Sequence, residues 1–300
     1  MKKYRIMTFD GGGIRGALSA TLLKKLDERC PKLIENTDLF AGTSTGSFIA
    51  LGLAYGLSPK ELISLYSVRN CRFIFNPKYP ELFRPKYNNK NLKKVLSKVF
   101  PQNLKLKDLK HKVLISSFRL IGEKDGSWGP KFYSNYEGSD TSNAYVIDVA
   151  MCSSAAPIYF PSYKKHIDGG VIANNPSLAA ISIARDTKGG NQKLDNICLL
   201  SIGTGFNSEK IKTDTSKWGA FEWTLYLEPS YPLLSILLDG NMETDTYYSY
   251  QLLGNRYFRL NPKITHSISL DDYNKIPYLI YLSEKFNLNN TINWIENNWF

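Results

Sequence analysis

Apolar stretches alternate along this chain with segments in which apolar residues recur at helical spacing. The first pattern predicts buried strands, and the second predicts helices with one apolar face. We predict strands at residues 4–9, 38–41, 112–120, 145–149 and 197–202, and helices at residues 14–30, 47–55, 276–300 and directly after Pro176. Ser58 and Glu61 have the spacing of a capping box at the start of a further helix. Strands that alternate with helices predict an α/β fold with three layers, α/β/α, around a mostly parallel central sheet.

Two long segments lack this regularity. Residues 69–91 mix prolines with aromatic side chains, and we predict a loop there. Residues 206–249 are also aromatic and irregular in pattern. Because no internal repeat or low-complexity linker interrupts the 300 residues, we predict one domain.

The composition excludes several classes of protein. No run approaches the roughly 18 consecutive apolar residues of a membrane-spanning helix, and the first residues contain no signal-peptide core. We therefore predict a cytoplasmic protein. The three histidines and four cysteines lack the spacing of metal ligands, so we expect no metal site. The cysteines are expected to be buried free thiols: Cys30, Cys71, Cys152 and Cys198.

Positive charge is concentrated in one part of the chain, which has a net charge of +11 overall. Residues 84–112 contain ten Lys or Arg and a single acid, Asp108. Within this segment, apolar residues at helical spacing form a stripe, and the lysines lie off that stripe: Leu92, Val95, Leu96, Val99 and Phe100. This helix could pack on the core with a solvated basic face, or lie on an anionic membrane surface. We expect no nucleic acid partner, because no recognition motif accompanies the charge.

Two glycine-rich runs, residues 10–16 and 42–46, each follow a predicted strand and precede a predicted helix. The second run places Ser44 between Gly42 and Gly46 on a tight strand-to-helix turn, the setting of a serine nucleophile. The first run places backbone N–H groups at a helix start, where they can face an anion. A nucleophile and an anion hole are two parts of an acyl-transfer site.

A serine nucleophile also needs a base. His111, His166 and His266 are available, but none lies in a glycine-flanked segment. Asp168 lies in such a segment, because Gly169 and Gly170 follow it directly. An aspartate can act as the base only if its environment raises its proton affinity. Taken alone, Asp168 is better explained as the cap of a turn.

The first glycine run also fits a dinucleotide-binding loop, with glycines at positions 11, 13 and 16. That interpretation needs an acid at the end of the second strand, whereas Asp38 precedes its strand. It also leaves the serine turn and the Asp-Gly-Gly run unexplained. A third alternative is an α/β-hydrolase triad that uses His266.

Together these motifs resemble those of the patatin-like phospholipases, a family of lipid acyl hydrolases. The resemblance is carried by Gly11, Gly12, Gly13, Arg15 and Gly16 in the oxyanion motif, by Gly42, Ser44 and Gly46 in the nucleophile motif, and by Asp168, Gly169 and Gly170 in the Asp-Gly-Gly motif. Residues 153–160, 174–176 and 201–205 also resemble segments of that family. The alignable region ends near Pro262, so we predict a family domain over residues 1–262 and a helical tail, residues 263–300, packed on it.

The resemblance implies a Ser–Asp dyad, with Ser44 as nucleophile and Asp168 as base. It implies that Gly11, Gly12 and Gly13 supply the amides of the oxyanion hole, that Arg15 supports them, and that no cofactor is needed. The implied substrate is a phospholipid or lysophospholipid, cleaved through an acyl-enzyme. We expect residues 73–87 and 218–231, with the basic run, to form the acyl groove and a peripheral contact with anionic membranes.

Overall fold

The computed structural model describes residues 3–77, 83–122, 126–206, 211, 213–226, 231–265 and 267–300. Its strands are β1 (Tyr4–Phe9), β2 (Leu39–Thr43), β3 (Lys112–Arg119), β4 (Gly129–Ser134), β5 (His166–Asp168), β6 (Ile197–Ile202) and β7 (Tyr257–Leu260). Its α-helices are α1 (Gly16–Arg29), α2 (Thr45–Tyr55), α3 (Pro59–Leu65), α4 (Val68–Ile74), α5 (Asn89–Leu96), α6 (Val146–Ser153), α7 (Gly170–Ala173), α8 (Ser177–Arg185), α9 (Ala220–Leu225), α10 (Pro232–Leu253), α11 (Ile276–Lys285) and α12 (Asn289–Asn298).

The strands form one sheet in the order β4-β3-β2-β1-β6-β7, with β5 paired to β3. In this sheet β3, β2, β1, β6 and β7 run parallel to one another, whereas β4 and β5 run antiparallel to β3. Helices cover both faces, so the predicted α/β fold with a mostly parallel central sheet is confirmed.

The core lies on both sides of the sheet, because alternate residues of a strand point to opposite faces. Met7 and Phe40 belong to the larger apolar cluster, which also contains residues of α1 and α2. Ile6 and Leu39, their neighbours in sequence, belong to a second cluster with residues of α8. A strand buried on both faces reads as a continuous apolar run, which is why β1, β2 and β6 are evident from the sequence.

The relation of β2 to β5 determines the geometry of the site. β2 pairs with the first half of β3, and its last residue, Thr43, lies opposite Ser116. β5 pairs with the end of β3 in the antiparallel direction, and its last residue, Asp168, lies opposite Ser117. The carboxyl ends of β2 and β5 therefore approach each other along β3, and the residues that follow them converge.

Three local predictions were wrong. Residues 145–149, predicted as a strand, begin helix α6, because their short apolar run is equally compatible with a buried helix. The predicted loop at residues 69–91 contains most of α4 at its start and the first turn of α5 at its end; residues 78–82 within it lie outside the described part. The irregular residues 206–249 contain α9 and most of the 22-residue helix α10.

Other local predictions are confirmed. The Ser58 side chain accepts a hydrogen bond from the Glu61 N–H, and the Glu61 carboxylate accepts one from the Ser58 N–H. The four cysteines are buried free thiols. The basic helix α5 buries its apolar stripe, Leu92, Val95 and Leu96, within the larger core cluster, so its apolar face packs inside the protein.

The C-terminal segment is helical and packs on the α/β body. The Lys25 ammonium of α1 donates hydrogen bonds to the carbonyls of Ser283 and Phe286. Trp299 is fully buried, and its carbonyl accepts a hydrogen bond from the Arg5 side chain of β1. The division into a family domain over residues 1–262 and a tail over residues 263–300 stays a prediction.

Candidate active site

Ser44 lies between the end of β2 and the start of α2, in a backbone conformation with φ 52° and ψ −121°. Positive φ is uncommon for a residue with a side chain, and such strain persists only where the surroundings hold it. The flanking glycines let the backbones approach closely. A Cβ at Gly46 would lie 2.2 Å from the carbonyl oxygen of Phe9, and one at Gly42 would lie 2.3 Å from that of Gly46.

Asp168 contacts Ser44 directly. The Ser44 hydroxyl donates a hydrogen bond of 2.6 Å to Oδ2 of Asp168, while Oδ1 accepts one of 2.7 Å from the Gly170 N–H. Both carboxylate oxygens are thus oriented by defined donors. Gly169 is required here as well, since a Cβ at that position would lie 2.3 Å from the Ser116 carbonyl oxygen.

Burial raises the pKa of the Asp168 carboxyl from 3.8 to about 6. Desolvation destabilises the ionised form, and the hydrogen bonds from Ser44 and Gly170 oppose it only partly. Asp168 is 4% exposed, so the environment that accounts for this increase is intrinsic to the fold. The carboxylate is therefore a stronger base than an aspartate in water, and it is still ionised at neutral pH.

Ser153, at the end of α6, connects the two residues. Its Oγ accepts a hydrogen bond of 2.9 Å from the Ser44 N–H, and its carbonyl accepts one of 3.1 Å from the Gly169 N–H. The neighbouring Ala155 carbonyl accepts a hydrogen bond from the Asp168 N–H at 3.0 Å. In the sequence, residues 153–160 show only a resemblance to a family segment, and their positioning contacts are visible only in the structure.

The glycine-rich loop follows β1 on the same side of the site. The Gly11 N–H donates to the Asn174 carbonyl at 3.0 Å, so this amide, expected to face an oxyanion, is already bonded within the protein. Among the described residues, the N–H groups of Gly12 and Gly13 have no hydrogen-bond acceptor. Arg15 Nε donates a hydrogen bond of 3.4 Å to the Gly12 carbonyl oxygen. Two amides of the loop therefore remain for a ligand.

Buried contacts hold the loop in place. Gly13 has φ 58°, and a Cβ there would lie 2.1 Å from the Leu270 carbonyl oxygen, which accepts a hydrogen bond from the Ile14 N–H. Before the loop, the fully buried Asp10 forms a bidentate ion pair with Arg259 of β7; Nη1 lies 2.8 Å from Oδ1. The sequence pattern gave no signal for Arg259 or Leu270, since they lie about 250 residues from the loop.

An apolar cavity opens beside Ser44. Its walls come from α2, α4, α5 and the segment after α6, and they include Phe48, Ile74, Leu92, Val95, Leu96 and Phe160. A smaller cavity on the other side of Ser44 is lined by Gly12, Arg15, Asp168, Asn174, Leu234 and Leu238. The predicted aromatic groove at residues 73–87 thus contributes to the apolar cavity, whereas α10 covers the second one.

The histidines that the structure describes do not contact Ser44. The His111 ring bonds the Thr37 carbonyl at 2.9 Å, and His166 contacts the Lys164 carbonyl and the Tyr133 hydroxyl. His266 lies outside the described residues. Within the described part of the chain, no cluster of three or more potential ligands could hold a metal ion.

The part of the chain that contains most of this site is similar to known proteins. A family model described as patatin-like phospholipase matches residues 7–181, which include Ser44, Asp168 and the glycine-rich loop. Protein teg of Priestia megaterium is 36% identical, with 100% of both chains aligned. A cGAMP-activated phospholipase of Vibrio cholerae is 32% identical over 67% of this chain and 64% of its own. Patatin-like protein 1 of Arabidopsis thaliana is 27% identical over 81% of this chain and 69% of its own.

Proposed function

Because the chain belongs to the patatin-like phospholipase family, we propose that it hydrolyses acyl esters of phospholipids or lysophospholipids with Ser44 and Asp168 as a catalytic dyad. The observation that carries this proposal is the 2.6 Å hydrogen bond from the Ser44 hydroxyl to the buried Asp168 carboxylate. A nucleophile and a base at this distance satisfy the geometric requirement for general-base catalysis.

In the first half-reaction, Ser44 Oγ attacks the carbonyl carbon of the ester, and its proton passes to Asp168 Oδ2. The pKa of about 6 makes this transfer more favourable than it would be for an aspartate in water. The negatively charged oxygen of the tetrahedral intermediate accepts hydrogen bonds from the Gly12 and Gly13 N–H groups, and Arg15 supports their loop. Asp168 returns the proton to the departing alcohol, which leaves an acyl group on Ser44.

In the second half-reaction, water attacks the acyl carbon, and Asp168 accepts the water proton. The resulting intermediate expels Ser44 Oγ, which recovers a proton from Asp168, and the fatty acid departs. The apolar cavity beside Ser44 suits the acyl chain, because its walls are aliphatic and aromatic. The glycine loop and Arg15 border the other side, where the rest of the lipid would lie.

A fluorophosphonate probe tests the nucleophile, and fatty-acid release from phosphatidylcholine vesicles tests the reaction. We expect the probe to label Ser44, as located by peptide mass spectrometry, and we expect Ser44→Ala to abolish both labelling and release. Ser154→Ala is the matched control, because in the described part of the chain the Ser154 hydroxyl donates to the Ala150 carbonyl and bonds neither Ser44 nor Asp168. Absence of labelling in the wild-type protein, together with binding of a nucleotide, would instead support a non-catalytic nucleotide-binding module.

A further inference from the structure

We propose that the outer face of the first half of α10 docks onto the surface of a phospholipid bilayer; this inference rests on the proposed function. Three aliphatic residues of this face are nearly half exposed: Leu233 at 46%, Ile236 at 47% and Leu237 at 46%. Positions three and four residues apart are neighbours on a helix, so they form one patch, named here the α10 patch. Soluble proteins expose such contiguous aliphatic surface mainly where something binds.

The inner face of the same helical segment closes the candidate active site. Leu234 and Leu238 line the cavity that contains Ser44 and Asp168. Asn241, one turn further on, donates a hydrogen bond of 2.9 Å to the Val171 carbonyl, three residues after Asp168. A helix with its side chains is about 10 Å across. A surface bound to the α10 patch would therefore lie about one helix diameter from the reacting groups.

Phe83 is a second exposed apolar side chain, close in sequence to residues that pack beside the site. Phe83 is 83% exposed and precedes a segment that is fixed to the site, because the Lys86 and Tyr87 N–H groups donate to the carbonyls of Ile158 and Tyr159. The Tyr159 ring in turn contacts Tyr231, directly before α10, with 6.2 Å between ring centroids. The segment after Phe83 and the start of α10 thus both pack against residues 158–159.

The surroundings of the α10 patch match a bilayer. Helix α9, which precedes α10, carries Phe221 at 69% exposure beside a cluster of Trp218, Trp223 and Tyr226, and aromatic side chains of this kind favour the membrane–water interface. Helix α5, which lines the apolar cavity beside Ser44, carries the exposed side chains of Lys90, Lys93 and Lys94, a charge that complements anionic lipids. Within the described part of the chain, no helix is both long and apolar enough to cross a bilayer, so this contact would be peripheral.

The patch ends where the helix leaves the site. On the outer face of the second half of α10, Glu243 and Thr244 are exposed and polar. Beyond them the helix exposes Tyr247, Tyr248 and Leu252, so three neighbouring aliphatic side chains are exposed together in the half of α10 that covers the cavity. The basic helix α5 is not the docking element, since its apolar stripe is buried in the core.

Vesicle flotation tests the inference with two matched triple variants, each made in the Ser44→Ala background. The first variant is Leu233→Ser, Ile236→Ser and Leu237→Ser. The second, with Tyr247→Ser, Tyr248→Ser and Leu252→Ser, removes side chains of comparable exposure from the far half of the same helix. With vesicles of phosphatidylcholine and phosphatidylserine, we expect the first variant to lose roughly 100-fold in affinity and the second to change little. Equal binding by both variants, or equal loss in both, overturns the inference.

Two further measurements distinguish a loss of docking from damage to the fold and from a change of oligomeric state. With Ser44 intact, the α10-patch variant should hydrolyse the soluble ester p-nitrophenyl butyrate as the wild type does, which shows that the fold and site are preserved. Because flotation uses the Ser44→Ala protein, it reports docking even if the chain proves to hydrolyse no ester. A wild-type dimer that becomes monomeric in the patch variant, with vesicle binding unchanged, would assign the patch to a second copy of the chain and overturn the inference.

Discussion

The Ser153 side chain accepts the hydrogen bond of the Ser44 N–H at 2.9 Å, and the same residue's carbonyl holds the backbone directly after Asp168. One residue at the end of α6 thus fixes both partners of the proposed dyad without touching the substrate cavity through its hydroxyl. Ser44 adopts a strained positive φ, and a conformation of that kind depends on such support. We therefore regard Ser153 as a positioning residue.

Replacement of Ser153 by alanine should lower kcat by about tenfold and leave KM nearly unchanged, because the Ser44 backbone loses an acceptor while the lipid cavities keep their walls. Steady-state kinetics on p-nitrophenyl butyrate measures kcat and KM separately. Ser153→Thr, which restores a hydroxyl, should recover part of the loss in kcat. Ser154→Ala serves as the neighbouring control. A rise in KM with kcat unchanged would contradict a positioning role.

Replacement of Asp168 by asparagine should abolish hydrolysis and stabilise the fold. The folded-state pKa of about 6 lies above the ordinary 3.8, so ionisation of Asp168 costs the folded protein up to about 3 kcal/mol at neutral pH. Asparagine has the same shape and cannot ionise. Its stabilising effect should be largest above pH 6 and should disappear below about pH 4, where the wild-type carboxyl is protonated in both states.

Urea unfolding at several pH values measures this difference in the free energy of unfolding. Gly170→Ala, which perturbs the same loop without removing the charge, is the comparison variant. Equal stability of wild type and Asp168→Asn at neutral pH would mean that burial does not destabilise the ionised carboxylate. Wild-type turnover by the asparagine variant would exclude Asp168 as the base.

The rate of hydrolysis should rise with pH through a midpoint of about 6, because only the ionised Asp168 can accept the Ser44 proton. Below the midpoint, kcat/KM should fall about tenfold for each pH unit. A pH–rate profile on a soluble ester, which avoids pH effects on vesicles, measures the midpoint directly. A profile that stays flat from about pH 4 to pH 8 would contradict general-base catalysis by this carboxylate.

The histidines should be dispensable for hydrolysis. His111 and His166 bond other groups, so their alanine variants should retain turnover within about twofold. His266→Ala is the decisive variant, because the alternative α/β-hydrolase triad depends on that residue. A loss of turnover as large as that of Ser44→Ala would replace the dyad with a triad.

A larger side chain in the apolar cavity should shorten the preferred acyl chain. Leu96 of α5 is 1% exposed and lines that cavity, so Leu96→Trp should fill part of it. We expect kcat/KM for p-nitrophenyl palmitate to fall by about tenfold relative to that for the butyrate ester. Lys90→Trp places the same ring on the exposed surface of α5 and should leave the chain-length preference unchanged. An unaltered preference in Leu96→Trp would place the acyl chain elsewhere.

The sequence predicts the parts of this fold whose signal is local. β1, β2 and β6 are buried on both faces and read as apolar runs, and the turn at Ser44 is marked by glycines that close contacts require. The pairing of Ser44 with Asp168 could be inferred only from resemblance, because 124 residues separate them.

Other parts depend on contacts that no local pattern encodes. Helix α10 has apolar residues on both its inner and its exposed outer surface, so it lacks the single stripe that identifies an amphipathic helix. β5 is three residues long, and its register on β3 is set by tertiary packing. The ion pair of Asp10 with Arg259 joins the loop after the central strand β1 to the edge strand β7, across 249 residues of sequence.

Strand β3 holds the candidate site together although neither Ser44 nor Asp168 belongs to it. Thr43 lies opposite Ser116 and Asp168 lies opposite Ser117, so consecutive residues of β3 set the separation of nucleophile and base. Each residue adds about 3.3 Å along a strand. A change of side chain in this strand would leave that separation in place, whereas the gain or loss of one residue between positions 116 and 117 would move the two groups out of reach of each other.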